Sequence, residues 1–252
     1  MESTLMLTVH KKNGITQIKD LYFTSPYKIM SPFMEAGKME VMQMCASAGL
    51  LGGDSFLMEL LVEEESNLTY TTQSYEKVFC TKGEPTTKYT KIKVEKGASL
   101  FYLPYPVIPH AGSDFYGENT IFVDEDATLL FGDIVTCGRK GMGECFQMKR
   151  FESKTKIFVG EKLAFADHTL HFPEEFSYSS MGMWENYTHN GILYIYAKEN
   201  EEQLIEKLRQ ESAEAGLTGV SRCENGVLVR TLSDSGDKIY KMFQKIAGVL
   251  SK

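Results

Sequence analysis

The sequence predicts a mainly β protein whose short strands are stacked or form a sandwich, with two α-helices at the C-terminal end. Segments of alternating polarity predict the strands. In KYTKIKV (88–94), for example, Thr90, Ile92 and Val94 share one face and two lysines share the other. Turn signals rich in glycine and charged residues separate such segments. Helical periodicity is found mainly near the end of the chain.

An internal pattern indicates that strand–turn–strand units stack on one another. VEEESNL (62–68), VEKGASL (94–100) and VDEDATL (123–129) each place a leucine six residues after a valine. The spacings of 32 and 29 residues are typical of stacked repeats, and chance similarity between acidic turns is the alternative. In stacked units, the residues four positions after each leucine would be equivalent: Thr72, Pro104 and Asp133.

Two amphipathic segments predict the helices. Residues 200–215 begin with Asn200 as a candidate N-cap and Gln203 at the capping-box position, and Gly216 follows the segment. Residues 237–250 place their apolar residues on one face. Because the polar faces mix both charges, we expect these helices to pack on the sheet and not to bind a membrane.

Length and charge narrow the class of protein. The 252 residues suit a single domain with a β body at 1–199 and a helix-containing part at 200–252. The net charge, 27 − 34 = −7, argues against binding to nucleic acid or to an anionic membrane. No segment has the length and apolarity of a bilayer span, and the N-terminal MESTLMLTVHKK does not have the pattern of an export signal. We therefore expect a cytoplasmic protein.

The cysteines and histidines do not predict a stable metal site. Five cysteines, widely spaced and without a CxxC motif, indicate reduced thiols and no disulfide framework. Cys137 and Cys145 as ligands of a soft metal are the alternative to buried packing. If FADHTLHF is a strand, His168 and His171 point to opposite faces and cannot share a metal ion.

The common enzyme motifs are missing from the sequence. It contains no GxGxxG after a strand, no P-loop, no HExxH and no GxSxG. CGRKGMGE (137–144) lacks the lysine–serine ending of a phosphate-binding loop. We interpret Gly138 as part of a structural turn that an ion pair between Arg139 and Glu144 closes.

Three aspartates interrupt apolar segments: Asp54, Asp133 and Asp167. A buried carboxylate usually pairs with arginine or with backbone N–H groups, and that is one interpretation. The other is a partly hydrated acidic path for a divalent cation. Nickel(II) accepts carboxylate, imidazole and water ligands, and weak ligands suit passage better than storage.

Glycine and proline mark two further segments. Gly49, Gly52 and Gly53 of SAGLLGGD predict either a tight turn or a close approach of strands. Residues 100–115 contain three prolines, which predict an extended edge that leaves the sheet interior. This segment is either a packed crossover or a docking surface.

Three residues are candidates for contact with a protein partner. They are Tyr105 and Pro106 in the proline-containing segment, and Trp184, the single tryptophan. Aromatic residues, tryptophan among them, are enriched at interfaces, which is the reason for including Trp184.

Several motifs together resemble one family. SAGLLGGD (47–54), TTQSYEKV (71–78), LPYPVIP (103–109) and CGRKGMGECF (137–146) occur in the order found in the urease accessory protein D family, called H in some bacteria. SPYKIMSPF (25–33) also resembles the N-terminal part of that family. The resemblance extends over nearly the whole chain.

The resemblance implies a fold and a role. The fold would be β-helix-like, and the protein would be a non-enzymatic scaffold in the assembly of the nickel metallocentre of urease. The implied partners are the accessory F protein, the nickel-carrying GTPase accessory G recruited through F, and apo-urease. A dimer of heterodimers with F is also implied. Nickel(II) would be a transient passenger in an internal tunnel, with no stably bound cofactor.

The resemblance also assigns residues to the nickel path. Asp54 matches the G-D position, Thr72 and Ser74 match the T-x-Q-S element, and Asp133 matches the acidic position before the CGR turn; Asp167 is a looser match. Two other functions are alternatives. A tight-binding nickel storage metallochaperone would need clustered histidine and cysteine ligands. A hydrolase would need acids such as Asp54 and Asp133 at a suitable separation.

Overall fold

Parallel pairing between successive turns of the chain builds the body of the protein in the computed structural model. The structure describes residues 1–35, 37–198, 201–212 and 214–250. The strands wind into a β-helix-like solenoid of about four turns, and two helices follow near the C-terminal end. The predicted mainly β, β-helix-like class is therefore confirmed.

The elements in chain order are β1 (Glu2–Lys12), β2 (Ile15–Phe23), β3 (Tyr27–Ile29), β4 (Phe33–Glu35), β5 (Lys38–Cys45), β6 (Ser55–Val62), β7 (Asn67–Thr72), β8 (Glu76–Val78), β9 (Thr86–Val94), β10 (Ser99–Leu103), β11 (Val107–Pro109), β12 (Asp114–Val123), β13 (Thr128–Thr136), a short 3₁₀ turn (Lys140–Met142), β14 (Arg150–Val159), β15 (Lys162–His171), β16 (His189–Tyr196), α1 (Glu201–Ser212), β17 (Leu217–Cys223), β18 (Gly226–Ser233) and α2 (Gly236–Leu250).

Two sheets face each other across the core. The first sheet has the order β15-β14-β12-β9-β6-β1-β2, and its central strands from β1 to β14 run parallel. The second has the order β17-β18-β16-β13-β10-β7-β5-β3, with the short strands β4, β8 and β11 paired beside this path. The chain alternates between the sheets from β6 to β14, and each crossing adds one parallel strand.

The internal repeat sets the register of this stack. Val94 pairs with Val62 on one side and with Val123 on the other, all three in the first sheet. In the second sheet, Leu100 pairs with Leu68 and Leu129. These six side chains are buried, so each repeat places its valine and its leucine in a continuous core. The predicted stacking is confirmed.

A second apolar core lies on the outer face of the second sheet, where both helices pack. Gly132 and Gly191 make room for α2. A Cβ at Gly191 would lie 2.5 Å from the Ile239 side chain, and one at Gly132 would lie 2.9 Å from the Phe243 ring. The two predicted helices are confirmed, and Leu204 and Leu208 are buried in α1. The predicted N-cap Asn200 lies outside the described residues. No helix in the described ranges is long and apolar enough to cross a membrane.

Two expectations are wrong. Cys137 and Cys145 form a disulfide, with their Cα atoms 4.8 Å apart, because the intervening loop turns back on itself. Cys45, Cys80 and Cys223 are free. The proline-containing segment is not an edge either. Val107 in β11 pairs with both Glu76 and Val135, so the segment is a packed crossover that re-enters the sheet.

Candidate functional site

A small cavity of about 50 Å³, with a mixed polar and apolar lining, lies between the two sheets. Its walls combine charged and polar groups with aromatic rings. The residues that line it are Thr72, Glu76, Lys88, Tyr102, Pro104, Tyr105, Val107, Phe115, Gly117, Asn119, Phe131, Gly132, Asp133, Phe151 and Ser153. A volume of this size accommodates one or two small polar species, such as water molecules.

The stacked repeat brings Thr72, Pro104 and Asp133 to this cavity. The pairing of β10 with β7 and β13 keeps the three positions in register: Thr72 ends β7, Pro104 follows β10 and Asp133 lies within β13. Alternation along β13 then decides which side chains face inward. Phe131 belongs to the core between the sheets, whereas Leu130 and Ile134 belong to the core under the helices. Asp133 shares the parity of Phe131 and so faces the interior.

The surroundings of Asp133 disfavour the ionised form of its carboxyl group. Burial raises its pKa from 3.8 to about 6, and the negative charge of Asp167 adds to the shift. The positive charge of Lys88 acts in the opposite direction and does not cancel these effects. Asp133 is therefore a half-buried group whose pKa is raised towards neutral pH.

An ion pair between Lys88 and Glu76 forms another part of the wall. Lys88 Nζ donates to both carboxylate oxygens of Glu76 at 2.8 Å. The side chains are only 16% and 15% exposed, so water screens the pair weakly. Burial by itself lowers the pKa of Lys88, but the Glu76 carboxylate outweighs burial and raises the pKa above its usual value. Lys88 is thus a fixed positive charge inside the protein.

Lys88 and Glu76 were missed as site residues, although the sequence contains a signal for Lys88. Lys88 shares the parity of Thr90, Ile92 and Val94, the three residues predicted to lie on one face of β9. A lysine in phase with a buried face must find a counter-charge. Glu76 lies within the TTQSYEKV segment, but nothing in that segment indicates its partner.

The first sheet supplies a polar row that leads from the cavity to the edge of the sheet. Asn119 pairs with Thr155 across β12 and β14, and Thr155 pairs with Asp167 across β14 and β15. Asn119 Nδ2 donates to Thr155 Oγ1 at 3.0 Å. Asp167 accepts a bond from Arg230 of the other sheet, and the guanidinium side chain is 50% exposed. The outer end of the row is therefore an ion pair near solvent.

Asp167 also lines an open cleft of about 450 Å³, together with residues of β16, β17 and β18. Asp133 and Asp167 are the two predicted acids that the structure brings near each other, since the charge of one shifts the pKa of the other.

A second cavity, of about 180 Å³, adjoins the first on the side of the T-x-Q-S element. Thr72 and Glu76 line both cavities, whereas Ser74 lines only the second. Thr72 Oγ1 accepts the backbone N–H of Tyr105 at 2.9 Å, which fixes its position at the boundary. Thr72 and Ser74 thus border two cavities that share part of their walls.

Asp54 lies elsewhere and already has partners. Its Oδ1 accepts from the Met1 amino group at 2.9 Å, and its Oδ2 accepts the backbone N–H of Leu51 at 3.2 Å. It is not among the residues that line the polar cavities. These contacts assign Asp54 to the turn before β6, and its place on a nickel path stays a prediction.

The glycines beside Asp54 serve close packing. A Cβ at Gly49 would lie 2.7 Å from the Lys77 carbonyl oxygen, and one at Gly52 would lie 3.0 Å from the Thr81 side chain. Gly53 has a φ of +80°, which favours glycine. The SAGLLGGD segment is thus another layer of the stack, as the parallel bridge from Leu50 to Val78 also indicates.

The three candidate partner residues are all engaged within the chain. Tyr105 stacks on Tyr240 of α2 with ring centroids 4.0 Å apart, and Pro106 is buried near Gly236. Trp184 is 5% exposed and packs edge-on against Phe146 and His171. Its contact with a partner stays a prediction, but a direct contact by the indole would require this aromatic cluster to open.

The CGRKGMGECF turn has the predicted ion pair. Arg139 Nε donates to Glu144 Oε2 at 2.8 Å, and the same carboxylate accepts the backbone N–H of Ala111 at 3.3 Å. A Cβ at Gly138 would lie 2.9 Å from the Glu144 carbonyl oxygen, so a side chain there would not fit. The turn interpretation of Gly138, Arg139 and Glu144 is confirmed.

Possible metal ligands are dispersed. Among the residues that the structure describes, no three histidine, cysteine, aspartate or glutamate side chains form a group able to hold a metal ion. His168 is exposed and His171 is 3% exposed, on opposite faces of β15 as predicted. The cavity instead offers single carboxylate, hydroxyl and amide oxygens, which a hydrated cation could meet one at a time.

The fold and the cavity define a class of protein: a β-helix-like body with a small polar interior that contains carboxylates. The sequence model of the family described as UreD urease accessory protein matches residues 1–252. The chain is 31% identical over 256 residues to the urease accessory protein UreD of Acetivibrio thermocellus, covering 99% of this chain and 97% of that protein. It is 32% identical over 268 residues to UreD of Haemophilus influenzae, covering 99% of each.

A relative with the other family name also matches. The chain is 28% identical over 236 residues to the urease accessory protein UreH of Helicobacter hepaticus, covering 93% of this chain and 92% of that protein. The chain therefore belongs to the UreD urease accessory protein family. Proteins of this family are accessory proteins and not catalytic enzymes. The predicted family and the predicted non-enzymatic role in urease assembly are confirmed.

Proposed function

We propose that this protein is a cytoplasmic scaffold that joins the accessory F protein, and through it the nickel-carrying GTPase accessory G, to apo-urease. Within that assembly, nickel(II) passes between the two sheets of the solenoid. Family membership supports the accessory role, and the resemblance of the motifs motivates the partners and a dimer of heterodimers with F.

One observation carries the proposed route: Asp133, an ionisable carboxyl, faces a cavity enclosed by the stacked strands. An acid in a dry core costs free energy unless it is paired or hydrated, and an apolar residue would pack there at lower cost. Thr72 and Ser74 continue the polar lining on one side, and Asn119, Thr155 and Asp167 continue it on the other.

The arrangement favours passage over storage. A tight nickel site needs several imidazole or thiolate ligands fixed around one point. The lining of this cavity includes neither histidine nor cysteine, the adjoining cavity adds the thiol of Cys45, and the oxygen donors come from different strands. Oxygen ligands that act one or two at a time hold a hydrated ion weakly, so the ion can leave. A storage metallochaperone is therefore the weaker candidate.

The test is activation of apo-urease with the accessory F and G proteins, nickel and GTP. Asp133→Ala is expected to join the complex in a pull-down and to lower urease activation at least about tenfold, because the cavity loses the carboxylate of Asp133. Asp20→Ala, at an exposed position on β2, is the matched control and should activate normally. Normal activation by Asp133→Ala within an intact complex would show that nickel does not depend on this carboxylate.

A further inference from the structure

The interior already contains a cation of its own, the Lys88 ammonium. It lies in the wall of the cavity and donates two hydrogen bonds to the carboxylate of Glu76. Glu76 borders both polar cavities, so the ion pair lies where they adjoin. A divalent cation that approached Glu76 would meet the positive charge of Lys88 at close range, with little water to screen it.

We propose that Lys88 is a built-in counter-cation that closes the interior of the free protein to divalent cations. A nickel ion then occupies this region only when the ammonium leaves Glu76. The proposal rests on the proposed function for the identity of the ion. It adds a mechanism that keeps divalent cations out of the route in the free protein.

A polar group beside the pair supports this inference independently. The Tyr27 hydroxyl is buried in a residue that is 4% exposed, and it has no hydrogen-bond partner in the protein. The charges of Lys88 and Glu76 both act on this phenol. A buried hydroxyl without a partner is costly, so a polar group close to the ion pair is left unsatisfied in the free protein.

Comparison with the ion pair between Arg230 and Asp167 identifies Lys88 as the barrier. Arg230, which binds Asp167, is 50% exposed, whereas Lys88 is 16% exposed. An exposed guanidinium can swing into water at little cost. A buried ammonium has no such alternative, since leaving Glu76 would strand both charges. Displacement of Lys88 is therefore the demanding step.

The experiment measures nickel(II) binding to the untagged free protein by isothermal titration calorimetry. Lys88→Met removes the ammonium and keeps most of the side-chain length. It is expected to bind one nickel ion per chain at least about tenfold more tightly than any wild-type site. The double variant Lys88→Met/Glu76→Gln should lose that binding. Lys91→Met, on the outer face of the same strand, is the matched control and should behave as the wild type.

A measurement of thermal stability keeps the test valid if Lys88→Met is destabilised. Loss of one partner of a buried pair destabilises a protein, so Lys88→Met is also melted with and without nickel. A nickel-dependent rise in Tm for this variant but not for the double variant supports the inference. Lys88→Gln, which retains a polar group, is used if Lys88→Met is unfolded under both conditions.

Equal nickel binding by the wild type and the folded Lys88 variant would overturn the inference. That failure is distinct from failure of the proposed route. If Asp133→Ala activates urease normally but Lys88→Met gains a nickel site, the closure by Lys88 stands and the route is wrong. If Lys88→Met gains no site but Asp133→Ala blocks activation, the route stands and the closure is wrong.

Discussion

Asp133→Asn is expected to stabilise the protein at neutral pH and to lose most of that advantage in acid. Burial raises the pKa of Asp133 from 3.8 to about 6 in the folded protein. A carboxyl whose pKa is raised by folding contributes full stability below its unfolded pKa, and that contribution is lost as the pH rises through the folded pKa. At about pH 7.5 the ionised carboxyl therefore costs about 3 kcal/mol, and at about pH 4.5 it costs only about 1 kcal/mol.

The assay is urea unfolding of the wild type and Asp133→Asn at both pH values, with EDTA present and with Asp20→Asn as the control. The asparagine can change packing by a constant amount, so the diagnostic quantity is the difference between the two pH values. We expect the advantage of Asp133→Asn to shrink by about 2 kcal/mol on going from about pH 7.5 to about pH 4.5. An advantage that does not change with pH would refute the account of Asp133 as a carboxyl whose pKa is raised by folding.

Three further predictions concern the rest of the fold. Gly191→Ala should destabilise the protein by about 1–3 kcal/mol in urea unfolding, because its Cβ would lie 2.5 Å from Ile239 in α2; an unchanged midpoint would contradict the close packing. Burial lowers the pKa of His171 to about 4, so His171 contributes stability above pH 6.5 that is lost as the pH falls towards 4. Between about pH 7.5 and about pH 5, the free energy of unfolding of His171→Leu should fall by about 2 kcal/mol less than that of the wild type. An equal fall in both proteins would contradict a neutral, buried imidazole. The purified chain in denaturant should present only the thiols of Cys45, Cys80 and Cys223 before reduction and all five thiols after it; five before reduction would contradict the disulfide.

The sequence predicts the framework of the fold well because local patterns specify it. The valines and leucines of the repeat recur at nearly the same interval, and that interval is the length of one turn of the solenoid. The repeat aligns Asp133 with Thr72, and strand alternation then predicts that the Asp133 side chain points into the space between the sheets. The helices follow from their apolar stripes.

The features that the sequence did not predict depend on contacts that only the folded chain brings about. Asp54 follows the same pattern as Asp133, an acid after glycine in an apolar region, but its partner is the amino group of a residue 53 positions away. The Cys137–Cys145 bond depends on how far the turn folds back. Lys88 has the parity of a buried residue, but only the stacked structure shows that Glu76 is its counter-charge.

Nickel transfer across the assembled complex tests the central claim most directly. Ser153 lies on the cavity wall and is 7% exposed, so Ser153→Leu fills the cavity with an apolar side chain. The measurement is the rate at which nickel from loaded accessory G reaches apo-urease, with complex formation checked in the same samples. A fall of at least about tenfold for Ser153→Leu, with the complex intact, is expected if the ion travels between the sheets. Wild-type transfer by Ser153→Leu in an intact complex would mean that the ion takes another route.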